Sequence, residues 1–325
     1  MIKARKGEEN LIHILKKYSP AFPEKYGIGI GDDTAKINTN IFLKNKLLIT
    51  TDSLVEDVHF NWEYCDAGDV AEKLFEMNAS DILTKGGRPL YVFLNINGSK
   101  DFVKNKIVPF AKALGKKLKK NKIYLLGGDI TKSAINVFTM TMIGEANHFI
   151  PRKNKKIKKG DVLALYGNIG GSSYALDLLN AKRINLKNKS LRKLYSSPEA
   201  KWNAPSFLVK NKALASIDTS DSFFESAHII SEQNNLNIKI NIDKIKLHPL
   251  VKADKEEDII KYTLASAEDF AVLAVLPKEV SFSIKDDYEI IGEVLEVKKK
   301  SVIQFYFNNK KININENKLK LFSHF

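Results

Sequence analysis

"TTDSLVEDVHF" (Thr50–Phe60) follows the apolar run "LLI" and opens on paired threonines, residues that favour extended structure. It reads as the end of a strand. It then leaves the apolar pattern for hydroxyls, acids and a histidine placed directly before a phenylalanine. A strand end needs a turn and little more, so this concentration of oxygen atoms points to a site. The succession of strand, turn and aspartate recurs at Asp32–Asp33, at Asp129 after "KIYLLGG", and at Asp218 with Asp221 after "ALASID". Asp81 lies instead on the helix written by "DVAEKLFEMNASDILTKGG", one turn after Asn78 on the same face. Loops at strand ends are where layered α/β chains gather their sites. A single aspartate there is an ordinary turn former or helix cap, as Asp69 and Asp101 are expected to be. Several together would repel one another and take up protons, unless hard divalent cations with oxygen ligands lay among them.

A chain of 325 residues, 44% of them hydrophobic, is long enough for two cores. Near Phe149 to Gly160 the composition shifts to Lys and Asn with Pro151, which divides the chain into residues 1–148 and 149–325. Strands and helices alternate in both parts, giving an α/β fold built as α+β layers. Helices are expected over "GEENLIHILKKY", over "DFVKNKIVPFAKALGKKLKK" with a kink at Pro109, over "EAKWNAPSFLVK" and over "DSFFESAHIISEQNN". "LYVFLNI", "INVFTMTMIGE", "DVLALYG", "AVLAVLP" and "VIQFYF" read as strands.

The formal charge of +14 comes mostly from lysines in short runs such as "RKNKKIKK". It implies a solvated basic surface or attraction for anionic small molecules rather than a nucleic-acid partner. Cys65 is the only cysteine, which excludes an internal disulfide and a cysteine metal site. No run reaches the roughly 18 apolar residues of a membrane span. A soluble cytoplasmic protein without a membrane partner is expected. No Walker loop is present; "GIGIGDD" and "GNIGGSS" are rich in glycine, yet taken alone each is an ordinary turn.

In order and spacing, "IGDDTA", "TTDSLVEDVHF", "NASDILTKGGRP", "LLGGDIT", "PRKNKKIKKGD", "GNIGGSS", "SIDTSDS" and "SAEDFAV" resemble the thiamine-monophosphate kinase family, within the aminoimidazole-ribonucleotide synthetase-like superfamily. The similarity runs from "GEENLIHIL" to the terminal "LFSHF". It implies ATP-dependent phosphorylation of thiamine monophosphate to thiamine diphosphate, by direct transfer with no covalent nucleophile. It also implies an N-terminal α/β domain that binds ATP and magnesium and builds a β-barrel across a homodimer, and a C-terminal α/β domain. Several Mg2+ ions would accompany ATP. Carried over by position, Asp33, Thr50, Thr51, Asp52, Asp81, Asp129, Asp218 and Asp221 are the implied metal ligands. Gly128, Asp129, Arg152 and Ser220 are implied ATP contacts, and His59, Glu268 and Phe322 implied substrate contacts. Glu56 and Asp57 are expected to be merely solvated. His248 carries no spacing signal and is read as structural or exposed. The alternatives are a superfamily relative that uses ATP to activate a carbonyl or amide oxygen, and a catalytically weakened homologue.

The chain departs from the family pattern in three places. Ser222 follows Asp221 where the family has glycine, Ser266–Ala267 replaces a glycine pair, and a nucleotide-contacting tyrosine falls near Phe110 and Ala111. The first two changes would add side chains where backbone approaches a ligand.

Overall fold

The computed structural model describes residues 3–23, 25, 27–28, 36–37, 45–183, 188–279, 288–298, 300–314 and 319. Asp33, Phe322, residues 29–33 of the "GIGIGDD" stretch and the terminal "LFSHF" lie outside them. The chain divides into two compact units, Met1–Ile82 with Gly87–Asn147, and Leu83–Gly86 with His148–Phe325.

The first unit opens on helix α1 (Lys3–Tyr18) and a short pairing of β1 (Gly27–Ile28) with β2 (Lys36–Ile37). Strand β3 (Lys46–Val55), helix α2 (Ala67–Thr84), strand β4 (Arg88–Gly98), helix α3 (Ile107–Asn121), β5 (Tyr124–Lys132) and β6 (Val137–Ala146) follow. The four longer strands form one sheet in the order β3-β6-β4-β5, antiparallel except for the β4–β5 pair, whose connection passes through α3. Alternation divides its residues between two faces. Leu54, Val92, Leu94, Ile96, Phe138, Met140 and Met142 are buried on one of them. There Phe138 packs on Phe110 of α3 with ring centroids 5.0 Å apart. The opposite face carries Thr51, Ser53, Thr139 and Thr141, beside the exposed Leu47 and Ile49.

Two expectations change here. Asp52 and Asp129 were expected at strand ends, but both lie inside strands, because β3 runs on to Val55 and β5 runs through its glycines to Lys132. Strand β5 tolerates the glycine pair through a register shift opposite Val92 and Phe93. At Gly128, φ is +155° and a Cβ would stand 1.8 Å from the Leu94 carbonyl oxygen, so no side chain fits. The irregularity of the third helix falls one turn before Pro109. Phe102–Lys106 form a π-turn in which Ile107 N–H donates to the Phe102 carbonyl five residues back. The wider turn precedes a proline that lacks an N–H and whose ring would crowd the carbonyl four residues earlier.

The second unit contains β7 (Val162–Tyr166), α4 (Gly171–Asn180), α5 (Lys189–Ser196), α6 (Ala204–Lys210), β8 (Ala215–Asp218), α7 (Phe223–Asn234), β9 (Leu236–Asn241), α8 (Glu256–Leu264), β10 (Val272–Leu276), β11 (Tyr288–Val297), β12 (Val302–Phe307) and β13 (Lys310–Ile312). Its strands form a sheet in the order β13-β12-β9-β11-β7-β10-β8. Both faces are covered. Leu163, Leu165, Leu273 and Val275 pack with Phe223, Ala227 and Ile230 of α7, while Ala164, Tyr166, Val272 and Ala274 pack with Phe207 and Leu208 of α6. The helix expected over "EAKWNAPSFLVK" starts only at Ala204, with Pro205 in its first turn where a missing N–H is harmless.

Candidate functional site

The opening stretch supplies the first cluster. Thr50 and Asp52 are two residues apart on β3 and so share the face turned to α2. There the Thr50 hydroxyl donates to the Asp81 carboxylate, and the Asp52 amide donates to Asn78 Oδ1 at 3.2 Å. Asn78 is itself held, its Nδ2 donating to the Leu74 carbonyl at 2.9 Å. Strand and helix thus bring three predicted ligands, Thr50, Asp52 and Asp81, together through Asn78 and Asp81, side chains one helical turn apart. Thr51 faces the other way, its hydroxyl accepting from Thr141 at 3.1 Å, so that oxygen does not join the cluster.

The turn after β3 is built from its own polar groups. His59 Nδ1 accepts the Val55 N–H at 3.1 Å, which leaves the neutral ring's proton on Nε2. The His59 carbonyl accepts from the buried Lys73 at 2.8 Å. Glu56 is not simply solvated. It accepts from the Asn136 backbone N–H at 2.9 Å and side-chain amide at 2.7 Å, tying the turn to the start of β6. Asp57 accepts from Asn61 Nδ2 at 2.8 Å and adopts φ 63°, a turn geometry that aspartate tolerates.

On β5, exposed Asp129 stands opposite Asn95 and accepts from the Thr131 hydroxyl at 2.9 Å. The described contacts do not join it to Asp52 and Asp81. Among the described residues, no three His, Cys, Asp or Glu side chains gather into a ready metal centre. Phe110 and Ala111 are both buried, so neither offers a side chain to a nucleotide.

The second cluster belongs to the second unit. Asp218 ends β8 and is buried, with Ser220 Oγ donating to its Oδ1 at 3.2 Å, while Asp221 is exposed. Ser222 has extended backbone, φ −176°, so the position needs no glycine. Its hydroxyl caps α7 by accepting the Glu225 N–H at 3.1 Å. The serine is thus turned into the fold, against the expectation of a side chain in a ligand's way. Ser266 behaves alike. It is buried, and its hydroxyl accepts the Ser173 N–H at 3.4 Å. Arg152 is exposed, with its carbonyl accepting Asn234 Nδ2 at 2.9 Å.

Glu268 sits between these loops, its N–H donating to the Ser220 carbonyl at 2.7 Å. The next residue, Asp269, went unrecognised in the sequence. Its two carboxylate oxygens accept the Gly170 N–H at 2.7 Å and the Ser172 N–H at 3.0 Å, at the start of α4. Burial pushes its carboxyl above the ordinary value, against hydrogen bonds from Ser266, Ser172 and Gly170 and the charge of Lys201. His248 stands nearby. Burial lowers its pKa, as does Lys201, against the pull of Asp269. The only advance signal was the acidic pair in "SAEDF", and no helix starts there.

This arrangement of layers and polar loops is that of the AIR synthase-like proteins. Residues 31–146 match the family "AIR synthase related protein, N-terminal domain". The chain is 30% identical to the thiamine-monophosphate kinase of Pyrococcus horikoshii over 269 residues, covering 82% of this chain and 83% of the relative. It is 29% identical to that of Aquifex aeolicus, covering 84% and 87%. It is also similar to a structure of AaThiL complexed with AMPPCP and TMP, with a TM-score of 0.72, 26% identity and coverage of 97% of both chains. The Escherichia coli hydrogenase maturation protein HypE shares the fold at 15% identity, with a TM-score of 0.72 over 94% of this chain and 96% of that one. The chain belongs to the thiamine-monophosphate kinase family.

Proposed function

We propose that this chain transfers the γ-phosphoryl group of ATP directly to thiamine monophosphate, releasing thiamine diphosphate and ADP. Family membership is the observation that carries this, with similarity to the kinase relative over 82% of the chain. An oxygen of the acceptor phosphate attacks the γ-phosphorus in line. The new P–O bond forms as the bond to the β,γ-bridging oxygen breaks, and ADP leaves with the electron pair. The acceptor is already an anion, so neither a strong base nor a covalent nucleophile is needed.

Thr50, Asp52 and Asp81 in the first unit, and Asp218 and Asp221 in the second, offer only oxygen, which suits Mg2+. Asp33 and Asp129 are proposed for the same role, and Thr51 through its main-chain carbonyl. Bound Mg2+ supplies neutralisation of the charge carried by two polyanions. Around it the chain's own groups position the reactants. The Arg152 guanidinium is suited to a two-pronged contact with phosphate. Ser220 and the side-chain-free Gly128 serve the nucleotide. His59 and Glu268 contact the acceptor substrate, and Phe322 packs on its rings. A cytoplasmic homodimer is part of the proposal. The exposed Leu47 and Ile49 on the open face of the four-stranded sheet support the dimer. Among the described residues, no helix is long and apolar enough to cross a membrane.

A coupled assay with ATP, Mg2+ and thiamine monophosphate, run beside thiamine as control acceptor, tests the assignment. Turnover with thiamine monophosphate alone is expected. Turnover only with a different acceptor overturns it.

A further inference from the structure

Between Leu264 and Val272 the chain takes a costly path. Glu268 and Phe270 adopt φ 59° and 51°, in the left-handed region that residues with side chains rarely enter. Such conformations cost on the order of 1–3 kcal/mol each and persist only where the surroundings over-determine them. The surroundings here can be named. Asp269 lies between the two strained residues and bonds through both oxygens to backbone N–H groups of Gly170 and Ser172. Its carbonyl accepts from Lys201 Nζ at 3.0 Å. The anchor is itself fixed, because Ile169 exchanges backbone bonds with Lys246 and His248 at 3.2 and 2.8 Å. On the other side, Thr219 N–H donates to the Ala271 carbonyl at 2.9 Å, Ala271 N–H returns a bond to Thr219 Oγ1 at 3.1 Å, and Glu268 N–H reaches Ser220.

We infer that Asp269 is a positioning residue for the phosphoryl transfer: by clamping the 266–271 loop to the start of α4, it fixes the Glu268 side chain and the 218–222 loop in one mutual register. Glu268 and Ser220 are the groups proposed above for acceptor and nucleotide, so the inference rests on that reading. Asp269 touches neither reactant and acts through Glu268. Asparagine at this position would keep one acceptor oxygen and turn an NH2 group toward a backbone N–H, losing one half of the clamp.

The test compares Asp269→Asn with wild type by steady-state kinetics, and by amide hydrogen exchange without substrates. A rise of about 10- to 100-fold in KM for thiamine monophosphate is expected, with a smaller change in KM for ATP. Exchange at residues 170, 172 and 219–222 is expected to quicken together. A protein that is merely less stable loses active fraction and keeps both KM values, and that result overturns the inference. Ser266→Ala and Lys201→Met, each lacking one supporting bond, move the same quantities less and carry the test if Asp269→Asn does not fold; unchanged KM and exchange in both also overturn it. If wild type fails to phosphorylate thiamine monophosphate, the functional reading falls, whereas the exchange coupling still decides whether the clamp exists.

Discussion

The two acidic clusters are held in place by different means. The first is mounted on regular structure: Thr50 and Asp52 take their direction from a strand, Asn78 and Asp81 from a helix, and two hydrogen bonds join them. The second is mounted mainly on loops, beyond the last residue of β8, Asp218. Asp218, Ser220 and Glu268 keep their places because Ser222, Ser226, Thr219 and Asp269 satisfy backbone groups around them, as when Ser226 Oγ donates to the Asp218 carbonyl at 2.7 Å. A strand and a helix hold a ligand by many cooperative bonds, so no single side chain matters much to its position. A loop site depends on a few buried polar contacts, each of which costs about 1–3 kcal/mol to leave unmade. Substitutions in the first cluster should therefore remove chemistry and spare the fold. Those around the second should disturb both.

The largest expected effect comes from Asp52→Ala. Activity should fall by about 10²- to 10³-fold with an unchanged thermal midpoint. A large loss of stability instead would show that the strand-mounted cluster also holds the fold. Gly128→Ala should be smaller in energy and structural in kind, costing about 1–3 kcal/mol by denaturant titration as β4 and β5 are forced apart at Leu94. Next comes Ser222→Ala, which strips the cap from α7 at a cost of about 1 kcal/mol, whereas Ser222→Gly, restoring the family residue, should cost only a few tenths. If the two variants melt alike, the cap contributes nothing to the loop-mounted cluster. The smallest effect concerns the rim of the first sheet. Burial opposes charge on Glu145, but hydrogen bonds from Asn45 and Arg88 outweigh it and hold the carboxyl below its ordinary value. A lowered folded pKa gives stability that is present above the unfolded carboxyl value of about 4.3 and is lost as pH falls through the folded one. Glu145→Gln should flatten that acid limb of a pH–stability curve and leave neutral activity unchanged.

The difference between the clusters also explains what could be read in advance. Period and composition disclosed β3, α2 and the Asn78–Asp81 pairing, because a residue on regular structure carries its direction in its spacing. Strand limits were harder. "LLGGD" reads as a strand that stops, since glycine usually punctuates, yet β5 absorbs the pair through a register shift with its neighbour. Asp269 was invisible for a stronger reason. Its partners lie 97 and 99 residues earlier in the chain, and nothing in "SAEDF" says which acid turns inward. The serines at 222 and 266 misled in the same way. Judged by what the family places there they were obstacles, while the folded chain uses both as hydrogen-bond acceptors for its own backbone.

The π-turn at Phe102–Lys106 makes chain length at this point a matter of register. A π-turn is an α-helical turn carrying one residue too many, and each residue of an α-helix rotates the chain by about 100°. Deleting a single residue between Phe102 and Ile107 would let ordinary helical bonding run through. Everything upstream would then swing by that angle relative to α3. Phe102, wholly buried against Phe110 and Phe138, would leave the core, and Trp62, stacked on it at 6.4 Å, would lose its partner. The extra residue is thus a spacer that sets the rotational phase between the aromatic core and the end of β4. A shorter relative would have to reset that phase with different side chains.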